Sequence, residues 1–361
     1  MITIYEIAKL AKVSPATVSR ALRNSPKIST KTKEKIWKIA KELDYVPNIT
    51  ARELSSQKTT TVGFVYPSIG KTSMDSILQG VEDSVAKKEF RLLSFNSREN
   101  LKLEYEYLKF LHEKRVEGIL LVPVITDEGN NLPYLKSLIK NNVPVVMVDR
   151  YFPEFATDCV TSDNFAGTYE AVAHLIKLGH RRIGYISGQK YLTSVHERLE
   201  GYKKALQDHG IEYRKELVKE TTPRPVLSVE ESYRAAKEFL DMKNRPTAIF
   251  TYNEIATVGA LKAIREHNIN VPEELSFVGF DEVTMISHIF MPLTAVKQQT
   301  YKMGQIGVRM LVERIEHLHE KKKEFPEIRH VSVKTELLIR DSCGARLKDK
   351  GNSALGQLKR E

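Results

Sequence analysis

Cysteine is nearly absent from this 361-residue sequence, with Cys159 and Cys343 the only two. Two thiols support neither a disulfide framework nor a cysteine-rich metal site. No uninterrupted apolar run approaches the ~20 residues a bilayer span requires. No apolar signal core follows Met1, so a cytoplasmic home and no membrane partner are expected. The histidines are scattered, and none sits with Cys, Ser or carboxylates in a recognisable nucleophile or metal spacing. His317 and His319, two apart, face different sides of a helix. The run Ser68-Ile69-Gly70-Lys71-Thr72-Ser73 looks like the end of a phosphate-binding loop, but Val65 stands where the upstream glycine is required. No catalytic residue, metal or cofactor is therefore expected. What remains is an ordinary globular composition, 41% hydrophobic and 28% charged, long enough for two or three domains of ~100–200 residues.

The formal charge of +10 is unevenly placed. Residues 1–60 hold 12 Lys/Arg against 5 Asp/Glu, residues 343–361 hold 5 against 2, and the body between them is neutral. A neutral body with a basic head points to a polyanion partner for the head.

Ile4, Ile7, Leu10 and Ala11 fall at helical spacing, which predicts a short amphipathic helix over 4–11. Ser14 before Pro15 is a helix start, because the hydroxyl accepts from a first-turn N–H and proline needs no partner there. The second helix then runs to about Leu22, with Val18, Ala21 and Leu22 inward and Pro15, Ala16, Thr17, Ser19 and Arg20 outward. Ser29 caps a third helix whose Ile36, Ile39, Ala40 and Leu43 complete a small core. Three short helices with a tight first turn fit a helix-turn-helix. A small bundle that docks protein shares this pattern, but the outward face argues against it. Small side chains enter a major groove, hydroxyls suit phosphate oxygens, and an arginine can bridge guanine O6 and N7. Lys31, Lys33, Lys35 and Lys38 read as phosphate contacts or a solvated face.

The run ITIYEIAKLAKVSPATVSRAL resembles the opening of the lac-repressor (LacI/GalR) family, and further matches extend to LLIRDS near residue 342. The resemblance implies double-stranded operator DNA as partner, with Thr3, Tyr5, Ser14, Pro15, Ala16, Thr17, Ser19, Arg20 and Asn24 of the headpiece at the DNA. By this likeness Thr17 and Ser19 touch phosphates, while Pro15, Ala16 and Arg20 take the base-reading positions. Pro15 and Ala16 lack polar side chains, so readout there rests on apolar contacts such as a thymine methyl. Residues 47–60 read as a linker with a helix too short to stand alone. In the resembled family this is a hinge helix that folds on operator DNA, and Ala51 and Leu54 match its minor-groove residues, Leu54 as the wedge. A homodimer or tetramer on a pseudo-palindromic site is implied.

From Thr61 short apolar runs alternate with amphipathic stretches: TVGFVYP, RLLSFNS, GILLVPV and VPVVMVDR, then HRRIGYISG, PTAIFTYN and LSFVGFDE. The expected fold is α/β, a helix-turn-helix headpiece (1–46) and hinge (47–60) followed by two doubly wound parallel lobes over 61–342, like periplasmic binding proteins. A basic tail, 343–361, is expected to be disordered. In the resembled family the chain crosses back between the lobes, so the two sets are not strictly sequential. A ligand belongs at the carboxyl ends of the strands. Asp149 and Arg150 follow PVVMV, Asn253 follows AIFTY and Asp281 follows SFVGF. Carboxylates there can accept sugar hydroxyls, and arginine offers a rigid fork. Resemblance adds Arg198, in HERLEGY, and strengthens Asp281. Asn253 matches the start of an Asn-Asp pair whose second member here is Glu254. Ser73 and Met74 stand where purine-binding relatives carry rings, and the only tryptophan, Trp37, lies in the headpiece. Tyr151, Tyr252 and Phe250 are the remaining candidates for stacking. A purine is thereby disfavoured, and the resemblance favours a carbohydrate effector and repression. A free-standing sugar receptor would resemble the body alone and leave the headpiece without a purpose.

Overall fold

The structure, a computed structural model, describes residues 2–22, 24–45, 59–88, 90–221, 229–289, 291–320 and 326–345. The chain divides into two compact units, Met1–Thr59 and Thr60–Glu361.

In the first unit, α1 (Ile4–Ala11), α2 (Pro15–Leu22) and α3 (Thr30–Glu42) enclose Ile7, Ala8, Ala11, Val18, Ala21, Ile36 and Ala40. Ser14 Oγ accepts from the Thr17 amide at 3.1 Å and Ser29 Oγ from the Thr32 amide at 3.3 Å, so both expected helix starts form. Leu10 departs from expectation. It is 56% exposed, because with Ile7, Ala8 and Ala11 filling the interior the three-residue step to Leu10 points outward.

The second unit contains two six-stranded sheets. In chain order its elements begin with β1 (Thr61–Tyr66), α4 (Thr72–Ala86), β2 (Arg91–Asn96), α5 (Leu101–Glu113), β3 (Gly118–Leu121), α6 (Leu132–Lys140), β4 (Val145–Val148) and β5 (Asp158–Ser162). Next come α7 (Asn164–Lys177), β6 (Ile183–Ser187), α8 (Thr193–Asp208), β7 (Val218–Glu220), α9 (Val229–Leu240), β8 (Ala248–Thr251), α10 (Glu254–Glu266), β9 (Ser276–Phe280), α11 (Thr284–Ile289) and β10 (Thr294–Lys297). The last are α12 (Thr300–His319), β11 (His330–Val333) and β12 (Glu336–Leu338).

The first sheet has the order β11-β5-β4-β3-β1-β2 and is wholly parallel. The second runs β12-β10-β9-β8-β6-β7, parallel except for the β10–β12 pair. Each sheet has an apolar cluster on each face, which is why β3 and β4 are apolar throughout. The chain passes between lobes three times: after β5, between β10 and α12, and between β11 and β12. Asp158, at the head of β5, is buried because Arg314 on α12 grips it at 2.8 and 2.9 Å. The fold runs past the expected end of the body at 342, since Cys343 is buried and Ser276 Oγ donates to its carbonyl at 3.0 Å. Residues 346–361 lie outside the described residues.

Helices α4 and α12 touch backbone to backbone. A Cβ added at Gly80 would sit 2.2 Å from the Tyr301 carbonyl oxygen, and one at Gly304 would sit 2.4 Å from that of Ile77. Gly80→Ala adds ~1 kcal/mol of helix propensity but forces the helices apart, so a net loss of about 1–2 kcal/mol is expected. Urea unfolding measures it, and a gain in stability would mean that the helices separate freely.

Candidate functional site

The headpiece has one face that takes no part in its core. Ala16 and Arg20 on α2 are exposed, with Pro15, Thr17 and Ser19 half-buried beside them. Thr17 Oγ1 and Ser14 Oγ share a hydrogen bond of 2.9 Å, which fixes both hydroxyls at the start of α2. Tyr5 is 72% exposed on α1. Thr3 is engaged locally, since Glu6 accepts from its amide at 2.6 Å and its hydroxyl at 2.9 Å. Those two bonds lower the Glu6 pKa. Asn24 is also engaged, its Oδ1 accepting from Lys33 Nζ at 2.9 Å. Lys35 Nζ caps α1 at the Ala11 carbonyl, 3.0 Å away. Two of the four lysines read as phosphate contacts therefore hold the headpiece together. Ala51 and Leu54 lie outside the described residues.

In the body, a cavity of about 380 Å³ opens between the lobes. Parallel strands aim their carboxyl ends at one edge of a sheet, and here both sheets aim at the same gap. Ser73, Asp149, Arg150, Arg198, Asn253 and Asp281 all line it. Asp149 and Asp281 occupy matching turns after β4 and β9. Both have left-handed backbones, φ 68° and 74°, which aspartate tolerates better than most residues. Each donates its amide to the neighbouring strand, to Val160 O at 2.9 Å and to Val296 O at 3.0 Å.

The two arginines of the cleft are held by protein. Arg150 donates both ends of its fork to Glu99, at 3.0 and 2.9 Å. Burial works against its charge, but the charge and hydrogen bonds of Glu99 outweigh it and keep Arg150 protonated. Burial also opposes ionisation of Glu99, yet Arg150 holds its pKa below the usual range. Arg198 lies 3.7 Å from the Phe280 ring centroid and donates to Asn164 Oδ1 at 2.9 Å and to the Tyr252 carbonyl. Burial raises the pKa of Asp149 despite Arg150 and Arg198. Burial, with Arg150 close by, lowers that of Lys71. Asp281 accepts from the Gln298 side chain. Asn253 also caps α10, its Oδ1 accepting from the Ala256 amide at 2.8 Å.

Tyr252 lines the cavity; Tyr151, Phe250 and Met74 do not. Phe250 and Met74 are buried in the two lobe cores, and Tyr151 packs on His330 and donates to Glu197 at 3.0 Å. Lys71, Glu99, Gln189, Tyr191 and Gln298 line the cavity without having been singled out from the sequence. Each lies within a few residues of the carboxyl end of a strand, β1, β2, β6 or β10.

A profile for bacterial regulatory proteins of the lacI family matches residues 3–48, and one for periplasmic binding protein-like domains matches 172–343. The NTD biosynthesis operon regulator NtdR of Bacillus subtilis is 32% identical over 95% of this chain and 100% of its own. The chain belongs to the lacI family of bacterial regulatory proteins. Another relative, the HTH-type transcriptional repressor CytR of Escherichia coli, is 30% identical over 88% of this chain and 91% of its own. A solved complex of the transcriptional regulator CelR with cellobiose superposes with a TM-score of 0.69 at 29% identity, covering 95% of this chain and 100% of that one. This lacI-family chain is thus a DNA-binding transcriptional regulator with an effector-binding body. Among the described residues no helix is long and apolar enough to cross a membrane.

One cleft wall has a titratable anchor. The wall segment 122–131 is tied to Glu104, fully buried on α5, which accepts from the Val124 amide at 2.6 Å and from Asn131 Nδ2 at 2.9 Å. Burial pushes the Glu104 pKa up to about 7, against the pull of those two bonds. An acid whose folded pKa lies above its unfolded value contributes stability below the unfolded pKa, which is lost as pH rises through the folded one. Stability referred to Glu104→Gln is therefore expected to fall between pH 5 and pH 7, by about 1–3 kcal/mol. Denaturant titrations of both proteins at the two pH values measure the difference. Parallel pH profiles would show that Glu104 keeps an ordinary pKa.

Proposed function

We propose that this regulator is a repressor that binds a pseudo-palindromic operator as a homodimer in the cytoplasm, and that a sugar in the interlobe cleft controls its affinity. The observation that carries the reading is the convergence of six polar residues, chosen from strand ends and a family likeness, on one cleft in a chain that also carries a helix-turn-helix. Two aspartates in matching turns, with Asn253 and Gln298 in the same lining, suit a ring of hydroxyls, each of which donates and accepts. Tyr191 and Tyr252 offer faces for the apolar side of a sugar ring. CelR, similar over nearly the whole chain, was solved with cellobiose, and CytR is named a repressor. We read the cleft as a binding site rather than a catalytic one, since the relatives are regulators.

On the headpiece, Thr17 and Ser19 are assigned to phosphates and Ala16 and Arg20 to base edges, with Pro15 setting the start of α2. One recognition helix covers one half-site, and the second comes from the dimer mate.

Two experiments test the reading. Arg20→Ala is expected to weaken binding to the operator by about 1–3 kcal/mol while binding to random duplex stays nearly constant; equal losses on both would remove the base-reading role. In the second, a thermal-shift screen with mono- and oligosaccharides, nucleosides and small acids is expected to give a stereospecific sugar hit. A ligand at about a thousand times its Kd stabilises by ~4 kcal/mol. Asp281→Ala is expected to abolish that shift and leave operator binding intact. A nucleoside hit with no response to sugars would replace the proposed effector class.

A further inference from the structure

The family pair Asn-Asp is Asn-Glu in this chain, and the structure gives the extra methylene a use. Glu254, the first residue of α10 in the second lobe, reaches over to the start of α4 in the first. Its Oε2 accepts from the Thr72 amide at 2.9 Å and its Oε1 from the Thr72 hydroxyl at 3.3 Å.

The first N–H groups of a helix have no partner inside it and form its positive end. Helix α4 cannot supply its own cap, because the residue in the cap position is Lys71, whose side chain makes no capping bond. The helix takes its cap from the other lobe. Burial of Glu254 raises its pKa, and the two bonds from Thr72 pull against that shift.

We propose that Glu254 is an interlobe clasp, a carboxylate on the second lobe that caps a helix of the first and holds the cleft closed before any ligand enters. The inference rests on the cleft being the effector site, which makes closure the quantity the clasp sets. A second bridge, Tyr151 Oη to Glu197 at 3.0 Å, joins the lobes outside the cavity lining. The clasp is length-specific. Aspartate is one carbon–carbon bond shorter, ~1.5 Å, which takes its oxygens out of hydrogen-bond range of Thr72 unless the lobes move closer. Loss of the clasp lowers the closed fraction, and the apparent affinity for a ligand of the closed form falls by the same factor.

Amide hydrogen exchange on the full-length ligand-free protein tests the clasp directly. Glu254→Ala and Glu254→Asp are both expected to speed exchange in the first turn of α4 tenfold or more, with the central strands β1 and β8 unchanged. Glu254→Asp keeps an acid at the start of α10, so it separates loss of reach from damage to that helix. Unchanged exchange at Thr72 and Ser73 in Glu254→Asp overturns the clasp, as does faster exchange spread evenly through both sheets. The readout needs no ligand. A failed sugar screen therefore sinks the effector reading and leaves the clasp standing, whereas unaltered exchange sinks the clasp and leaves the effector reading standing.

Discussion

The body is organised by one constraint: two parallel sheets direct their carboxyl ends at a common gap. Nine of the twelve described strands deliver a lining residue within five positions of their carboxyl end. A parallel strand ends where its chain must turn toward a covering helix, and the turn exposes polar backbone and side chains that the apolar strand cannot carry. The matching turns at Asp149 and Asp281 are the simplest expression of this, with the same residue, the same left-handed backbone and the same amide bond to the next strand in both lobes. Because the chain passes between lobes three times, a change in lobe angle bears on three connections at once.

Charge in the cleft serves the architecture before any ligand arrives. The Arg150–Glu99 fork ties the turn after β4 to that after β2. Arg198 is immobilised between Asn164, the Tyr252 carbonyl and the Phe280 ring. Both guanidiniums are thus preorganised, and a ligand meets fixed walls instead of long side chains whose ordering would cost affinity. Asp149 and Asp281 keep spare acceptor capacity in the lining, which suits a neutral hydroxylated ligand. An anionic ligand would face those carboxylates, with Arg150 and Arg198 already engaged and Lys71 the remaining cation of the lining.

Much of this was legible in the sequence, for identifiable reasons. Strands buried on both faces announce themselves as apolar runs, and β1, β3, β4, β8 and β9 did so. Polar strands did not: β5 reads Asp-Cys-Val-Thr-Ser, and its aspartate is buriable because the distant Arg314 and Arg329 both bond to it. With β10 unrecognised, Gln298 beyond it had no reason to be noticed. Lys71 and Glu99 are within reach of the same strand-end rule, applied there to polar residues after β4, β8 and β9 but not after β1 and β2. Guesses by residue type fared worse. Phe250 belongs to a lobe core because its strand alternates faces, and aromatic identity does not report that direction. In the headpiece, Lys33 and Lys35 read as phosphate contacts or a solvated face because local carbonyl partners cannot be seen without the fold.

The Asn253-Glu254 corner draws these points together. Read as a sequence, the glutamate is a departure from the Asn-Asp pair of the resembled family. In the structure the two residues divide their labour: Asn253 lines the cleft and caps its own helix, while Glu254 turns away to cap a helix of the opposite lobe. Both caps answer the same need, the unpaired N–H groups at a helix start, and both helices begin at the cleft because parallel strands deliver them there. A doubly wound lobe therefore presents several positive helix ends to its partner lobe whenever the two close. Glu254 is long enough to reach one such end, the start of α4, and its two bonds to Thr72 join the lobes there.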